Sequence, residues 1–496
     1  MRTRRGMLDA PGTILISFSS VRFLLGPILA GLALLMLAPC AVALYYGSPD
    51  VDAFLLSEAA TAGAALLLVA TGRRRVMHLR LRDMFLLTTT AWVVVCFFGA
   101  LPFMLSHTVE GFTDAVFESV SAVTTTGATV LAGLDGMPRD MLLWRSMMQW
   151  LGGLGIIALG TAVLPFLRIG GMRLFNTESS DLSEKALPRA RRIMNRLLLV
   201  YVFISVLCAL CYKLAGMSVF DAINHAMTTV STGGFSTHDS SFAYFDSGAI
   251  ELVAVVFMLL AAVPFMLYLP LLFGRRSGLF TDSQVQSMIA VYAVVATVLA
   301  IWAVLTDQVD AFSAFRESTF NVIAIGTTTG FVSTDYVAWG SFAAMTFFFL
   351  TFVGGCSGST SGGIKIFRFK IAAVMFNETL QRLLHPNAVF SRSMHGRPLT
   401  DEIVASVMAF SLAFATIVGL AAMLLTAAGN DIVTSFSAAA TTMANVGPGI
   451  GDVIGPTGNF ASLSGESKWV LCVTMLLGRL EIFTVLLLLT PAFWRA

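Results

Sequence analysis

Long apolar stretches alternate with short polar segments along the whole chain of 496 residues. A helix needs about 20 mostly apolar residues to cross a bilayer. Ten stretches satisfy this requirement, near residues 16–46, 53–71, 84–105, 142–167, 195–216, 250–274, 285–305, 341–364, 403–427 and 467–492. Mean hydropathy is +0.81 and 12% of the residues are charged, which is too little polar surface for a soluble globule of this size. The pattern therefore predicts an all-α integral membrane protein.

The basic residues concentrate in alternate connections between these stretches. Most of the 31 Lys and Arg residues share one side of the membrane if residue 1 is cytoplasmic. The other side holds Arg139, Arg145, Arg316 and Lys468. This bias predicts that both termini are cytoplasmic. The basic start is followed by an apolar run longer than a signal peptide needs, so we expect a retained first helix. A net charge of +2 gives no reason to expect a nucleic-acid partner.

Four further apolar segments are too short to cross a membrane, and each ends at a similar phrase. They cover residues 115–123, 222–229, 315–325 and 432–442. The phrases that follow are TTTGAT, VSTGGFST, TTTGFVST and a weaker MANVGPGI, with glycines at Gly127, Gly233, Gly330 and Gly447. Nine residues before each glycine stand Glu118, Asn224, Asn321 and Ala438. A spacing of roughly 100 residues indicates an internal repeat.

Non-helical backbone is tolerated at membrane depth where it is buried in protein or lines a water-filled space. Four such loops predict four helix–pore-helix–helix repeats around a pseudo-fourfold pore, and the first two of the ten apolar stretches precede the first repeat. The expected boundaries are 1–82 for the two-helix segment and 83–190, 191–280, 281–398 and 399–496 for the repeats. A single loop of this type is equally a Thr-rich helix cap ending in glycine, but four copies between spanning helices favour a pore.

The loop residues suit a cation filter. Carbonyl oxygens can replace the water around potassium, glycine tolerates the backbone course that this needs, and each short helix directs its negative end toward the centre. The expected filter and potassium-binding residues are Thr125, Thr126, Gly127, Ser231, Thr232, Gly233, Thr328, Thr329, Gly330, Asn445, Val446 and Gly447.

On these loops the chain resembles the superfamily of potassium transporters that includes TrkH, KtrB and the plant HKT proteins, and it is most similar to TrkH-type subunits. The resemblance extends from the leading helices at 16–71 to Ala496. It implies a pore for potassium as the transported ion, with no organic cofactor in this chain. Family members with serine at the first filter position tend to admit sodium, whereas this chain has Gly127, so we expect potassium selectivity.

The resemblance also implies partners and a location. TrkH-type subunits form homodimers on a cytoplasmic ring of nucleotide-binding TrkA-like regulatory subunits. The basic segments 168–196 and 365–397 are candidate docking surfaces, although positive residues on the cytoplasmic side need no partner. The implied location is the cytoplasmic (inner) membrane of a bacterium, in contact with lipid.

The eighth stretch is interrupted, because residues 354–363 include five glycines, three serines and a threonine. Glycine costs about 1 kcal/mol relative to alanine inside a helix, so we expect a loop below the filter and a basic amphipathic helix from Ile364 onward. Close packing of small residues is the alternative, and it explains Gly152, Gly153 and Gly155.

Arg479 lies within the tenth apolar stretch, with Glu481 two residues later. A charge there costs roughly 2.5–3.5 kcal/mol, so it should face the pore or a polar partner. Residues two apart do not share a helix face, which argues against an Arg479–Glu481 pair. An arginine bonded to backbone carbonyls for structure alone is the alternative.

In the resembling family, a glycine-rich loop obstructs the pore and an arginine of the last helix faces the same constriction. Carried over to this sequence, the expected gate residues are Gly354, Gly355, Cys356, Ser357, Gly358, Ser359, Thr360, Ser361, Gly362, Gly363, Lys365 and Arg479.

Two other functions compete with a pore. A sodium- or proton-coupled secondary transporter also uses broken helices and sites at mid-membrane depth. An intramembrane serine protease is suggested by the GxSG-like stretch 355–358, but the nucleophile would need a histidine base. The histidines that follow, His385 and His395, stand in a basic cytoplasmic segment. An enzyme is therefore not expected.

Overall fold

The computed structural model describes residues 17–72, 81–109, 111–162, 186–271, 274, 278–307, 310–387, 393–394 and 397–495. The helices are α1 (Phe18–Tyr46), α2 (Val51–Thr71), α3 (Leu81–Gly99), α4 (Leu101–Leu105), α5 (Phe112–Val123), α6 (Arg139–Ala162), α7 (Ala186–Leu214), α8 (Val219–Val230), α9 (Gly248–Ala261), α10 (Ser283–Asp307), α11 (Ala311–Gly326), α12 (Ser341–Thr351), α13 (Ile366–Leu384), α14 (Asp401–Ala427), α15 (Ile432–Ala444), α16 (Gly465–Arg479), α17 (Ile482–Leu489) and α18 (Pro491–Trp494).

Short 3₁₀ turns occupy Leu134–Gly136, Ser241–Tyr244 and Phe265–Tyr268. Within the described ranges, the one sheet is a small antiparallel pair formed by β1 (Ser393–Met394) and β2 (Arg397–Pro398). The all-α fold class is confirmed. Large apolar side chains such as Leu34, Leu66 and Leu305 are more than 60% exposed on the outside of the bundle, which is the surface expected to contact lipid.

Each of the ten apolar stretches contains helix, but they are not ten continuous spans. Among the described helices, seven are long and apolar enough to cross a membrane, or eight if one bent pair is counted as a span. Helix α9 has only 14 residues and α12 only 11, while α16 and α17 meet at a bend of 114°. The prediction of continuous sixth and tenth spans is therefore wrong.

The breaks have identifiable causes. Pro264 follows α9 closely, and proline has no N–H for a helical hydrogen bond. The glycine-rich segment follows α12, as the sequence predicts. At the third break, Glu481 has a positive φ of 58°, which does not continue a helix, and charged side chains there bond to groups outside their own helix.

The four predicted short helices are present as α5, α8, α11 and α15. Side chains cap three of them, because Ser218, Asp310 and Asp431 each accept a hydrogen bond from the backbone N–H three residues later. Such caps satisfy N–H groups that have no partner inside a helix. Each short helix packs against the spanning helix that precedes it, as in the pairs α10–α11 and α14–α15.

Two faces of the bundle can be told apart. One face, called the terminal face, carries Ser17, whose N–H donates to Asp83 (2.9 Å), and Arg82, which donates to the carbonyl of Arg495 (2.9 Å). The opposite face, called the loop face, carries the N-terminal ends of the short helices, where Lys468 pairs with Asp114 at 2.7 Å.

Candidate ion pore

Each short helix ends in the same backbone motif. After α5, the N–H of Thr126 donates to the carbonyl of Ser121 (2.9 Å) and the N–H of Thr125 donates to that of Ala122 (3.0 Å). This pair of bonds is a Schellman cap. The longer bond recurs from Gly233 to Thr228 (2.8 Å), from Thr329 to Ala324 (2.8 Å) and from Val446 to Thr441 (3.0 Å).

The residue in the left-handed conformation at these caps is not glycine. It is Thr125 (φ 53°), Thr232 (φ 52°), Thr328 (φ 59°) and Asn445 (φ 55°). An L-residue in this region costs about 1–2 kcal/mol. Positive φ is least common for β-branched residues, and three of these four residues are threonine. Two residues later a glycine also has positive φ, namely Gly127, Gly234, Gly330 and Gly447.

This regularity corrects the register of the second repeat. Gly234 has φ +77° and is the counterpart of Gly127, whereas Gly233 has the hydrogen bond that Thr126 makes in the first repeat. Accordingly, the residue nine positions before the glycine is His225 and not Asn224. The predicted equivalence of Gly233 and Asn224 with the other repeats is wrong by one residue.

The four loops contact one another in a closed cycle. A Cβ placed on Gly127 would overlap the carbonyl oxygen of Gly233 in the second repeat. In the same way Gly234 meets Thr329, Gly330 meets Val446, and Gly447 returns to Thr126 with 2.7 Å between the added Cβ and the carbonyl oxygen. Each loop therefore fits against the next, and the fourth fits against the first. The four loops surround one axis.

A polar side chain of the short helix holds the segment that follows in each of the first three loops. Glu118 accepts from the N–H of Val130 (3.0 Å) and from the hydroxyl of Thr129 (3.0 Å). In the second repeat, His225 Nε2 bonds to Ser236 Oγ (3.0 Å). In the third, Asn321 Nδ2 donates to Ser333 Oγ (2.9 Å).

Glu118 is paired with Arg145 of α6, and both side chains are buried. The Nε atom of Arg145 donates to Glu118 Oε1 at 2.7 Å, and its guanidinium also bonds to Thr129 (3.1 Å) and to the carbonyl of Ser236 (3.3 Å). Arg145 thus joins the loops of two repeats. A pair with this many hydrogen bonds satisfies the condition for burying two charges.

Two residues that hold the loops in place belong to no sequence motif. Gln149 of α6 donates to the carbonyl of Gly233 (2.6 Å) and accepts from the N–H of Phe235 (3.1 Å), which clamps the second loop. Tyr292 of α10 donates to the carbonyl of Gly326 (2.5 Å) at the end of α11. A polar group inside an apolar stretch was the signal available for both.

On the loop face the ring opens into a cavity of about 80 Å³, which all four positive-φ glycines line. His238 also lines it and lies 2.5 Å from Asp135 and 3.6 Å from Asp221, with its ring stacked on Tyr244 at 3.4 Å. Partial burial opposes the charged imidazole, but the carboxylates of Asp221 and Asp135 outweigh burial and raise the pKa of His238.

Toward the terminal face, residues 354–363 form the predicted non-helical segment, here called the constriction loop. Its second half contacts the ends of three short helices. Gly362 N–H donates to the side chain of Thr328 (2.6 Å), Gly363 N–H to the carbonyl of Ala444 (2.8 Å), and Thr360 Oγ1 to the carbonyl of Val230 (3.2 Å). This part of the loop therefore lies directly beneath the ring.

The first half of the constriction loop packs elsewhere. The N–H of Gly354 donates to the carbonyl of Ile364, and the carbonyl of Gly355 accepts from the N–H of Ile366, so the start of the loop bonds to the residues that follow it. Cys356 contacts Met288 of α10 through sulfur, and the N–H of Ser357 donates to Gln284 of the same helix (3.2 Å). The structure thus brings Thr360 to Gly363 under the ring, but places Cys356 and Ser357 against α10.

Arg479 ends α16 rather than lying in mid-helix. Its Nη1 donates to the carbonyl of Thr360 (2.9 Å). Glu481 accepts a hydrogen bond from Arg368 of α13 at 2.6 Å and does not pair with Arg479, in agreement with the prediction from their spacing. Arg368 also stacks over the ring of Phe410 at 3.6 Å, and Lys365 donates to the carbonyl of Ser361.

Comparison with known proteins decides the family. A family model described as TrkH, cation transport protein, matches residues 56–495. The chain belongs to the TrkH family of cation transport proteins. The relatives of this TrkH-family chain include the Trk system potassium uptake protein TrkI of Halomonas elongata, 48% identical over 465 residues that cover 94% of each chain. Another is TrkH of Vibrio parahaemolyticus, 38% identical over 97% of this chain and 100% of the relative.

A solved structure supports the same assignment. The crystal structure of the potassium transporter TrkH from Vibrio parahaemolyticus matches with a TM-score of 0.88 at 37% identity, and the match covers 96% of this chain and 100% of that one. The resemblance inferred from the four loops is therefore confirmed for the family and for the fold. This TrkH-family chain is a multi-pass membrane protein.

Proposed function

We propose that this chain mediates potassium uptake through the ring of four loops, with the loop face outside and both termini in the cytoplasm of a bacterium. The observation that carries the proposal is the closed cycle in which each loop glycine receives a carbonyl of the next loop. The relatives named as potassium uptake proteins support the choice of ion.

The proposed filter comprises Thr125–Gly127 and its counterparts in the other loops, with Gly234 added to the predicted set. Four short helices end at the ring, and their negative ends favour a cation on the axis. Oxygen atoms from the loop backbone would replace the water around the ion. The loop glycines keep these peptide units in place, because each of them contacts a backbone carbonyl of the neighbouring loop.

The proposed gate is narrower than the set predicted from sequence. Thr360 to Gly363 lie beneath the ring and Arg479 bonds to this segment, so these residues oppose the passage of a cation. Lys365 adds a second positive charge at the same place. Gly354 to Gly358 serve as the base on which the segment bends.

For a cytoplasmic partner to move the gate, an exposed element on the terminal face must be connected to the constriction loop. Helix α13 begins directly after the constriction loop and reaches Leu384, with Arg382 more than half exposed. A cytoplasmic nucleotide-binding ring of the TrkA type, bound to a homodimer of this chain, would act through α13. The other predicted docking segment, 168–196, lies outside the described residues as far as residue 185.

Ion uptake into liposomes containing the purified chain tests the proposal. We expect potassium and rubidium to enter faster than sodium, and Arg479→Ala to increase uptake because the barrier loses its charge. Arg139→Ala, an exposed arginine on the loop face that stacks on the ring of Tyr46, is the matched control and should leave uptake unchanged. Equal entry of sodium and rubidium would contradict the proposed filter.

A coupled secondary transporter is the second candidate, because three helices are interrupted at depth. The same liposomes separate the two functions when uptake is measured with no proton gradient and no sodium present. Uptake driven by the potassium gradient alone supports a pore. Uptake that requires a gradient of the second ion would replace it with coupled transport.

A further inference from the structure

The region beneath the ring contains an excess of buried positive charge. Lys365, Arg368 and Arg479 are at most 7% exposed, and Glu481 is 8% exposed. Lysine and arginine side chains are rarely buried to this extent. Glu481 is already engaged with Arg368 at 2.6 Å. Lys365 and Arg479 have no carboxylate partner within the described part of the chain. Buried charges are normally paired, since their desolvation is costly.

Arg479 is only partly satisfied by the protein. Its Nη1 donates to Thr360, but its Nε and Nη2 atoms are buried and find no acceptor among the described residues. The hydroxyl of Ser361 is buried in the same condition. Both residues line one cavity of about 30 Å³, together with Lys365 and with Glu481, whose carboxylate is already paired with Arg368. Hydrogen-bond donors and positive charge therefore converge on a single small space.

We propose that this cavity is a binding site for a small monovalent anion of the halide class, held by Arg479, Lys365 and Ser361. Water could accept the free N–H groups, but it would leave the charge of Arg479 uncompensated. An anion satisfies both requirements. A cavity of about 30 Å³ has room for a halide and excludes larger organic anions such as gluconate.

The consequence for transport rests on the proposed function. An anion at this position offsets the charge that Arg479 places beside the axis, so that the strength of the barrier depends on occupancy of the site. Binding itself requires only the geometry of the cavity. A failure of halide binding is therefore distinguishable from a failure of potassium transport, because the first is measured without any ion flux.

Bromide diffraction of the purified full chain provides the test. We expect an anomalous peak within hydrogen-bond distance of Arg479 and Ser361 in the wild-type protein and in Arg139→Gln. Arg479→Gln should lose it. No peak in the wild-type protein at high bromide concentration, or a peak that persists in Arg479→Gln, would overturn the proposal.

Thermal unfolding in detergent gives a second measurement. At constant ionic strength, replacing gluconate by bromide should raise the unfolding midpoint of the wild-type protein, by an amount that grows with the logarithm of bromide concentration once the site fills. Ser361→Ala keeps the guanidinium and removes one donor, so the same rise should need more bromide. It serves in place of Arg479→Gln if that variant does not fold. An identical bromide dependence in Ser361→Ala and wild type would contradict a role for this hydroxyl.

Discussion

Replacing Gly127 by alanine should damage the ring far more than the same change at a glycine with similar backbone geometry. Gly127 has φ +82°, and its missing side-chain position is filled by the carbonyl oxygen of Gly233. Gly133, six residues later in the same loop, has φ +74°, and a Cβ placed there would meet nothing within 4 Å. The two glycines have nearly the same backbone conformation, but only Gly127 contacts a neighbouring repeat.

The magnitudes separate the two contributions. An alanine in the left-handed region costs about 1–2 kcal/mol at either position. At Gly127 the new methyl group must also displace a backbone carbonyl, and overpacking of this kind adds about 1–3 kcal/mol. We therefore expect Gly133→Ala to lower the free energy of unfolding by about 1–2 kcal/mol and Gly127→Ala by about 2–5 kcal/mol.

Unfolding of the purified variants in detergent measures the stability difference, and rubidium uptake into liposomes measures the effect on the ring. Gly133→Ala should retain uptake and discrimination against sodium. Gly127→Ala should lose discrimination, because the displaced carbonyl belongs to the neighbouring loop. Equal losses of stability in both variants, with unchanged ion discrimination, would refute the close contact between loops.

Three further changes test the support of the ring. Arg145→Met leaves Glu118 buried without its partner and should destabilise the protein by about 3–5 kcal/mol, measured by unfolding in detergent; a loss below 1 kcal/mol would argue against the pair. His238 has a raised pKa, so its charged form stabilises the folded state fully below the ordinary histidine pKa and loses this effect as pH rises through the raised value. The stability difference between wild type and His238→Gln should therefore shrink as pH rises across that window, and a difference independent of pH would exclude pairing with Asp135. Tyr292→Phe removes one hydrogen bond to the end of the third short helix and should cost about 1–3 kcal/mol, because the carbonyl is left unsatisfied; unchanged stability would show that the carbonyl finds another donor.

The sequence was sufficient for the elements whose signal is local. Spanning helices follow from apolar length, and the four short helices follow from apolar runs that end at a polar phrase. The constriction loop follows from the low helix propensity of its five glycines. In each case the residues that favour the observed structure are neighbours in the chain, so the sequence pattern alone identifies the element.

Features set by contacts between repeats were not accessible in the same way. Gly233 and Gly234 are adjacent glycines, and only the positive φ of the second and its contact with Thr329 show which one matches Gly127. The bend after Arg479 is stabilised by partners more than 100 residues away, at Thr360 and Arg368. Apolar periodicity contains no information about either contact.

The ring of four loops as a potassium site is the central claim, and diffraction from crystals grown in rubidium tests it most directly. Rubidium replaces potassium closely and scatters anomalously. The proposed filter predicts anomalous peaks on the axis, among Gly127, Gly234, Gly330 and Gly447. Replacing half of the rubidium by potassium should weaken these peaks more than replacing half of it by sodium. Peaks that lie away from this axis, or that sodium displaces as readily as potassium, would contradict the claim.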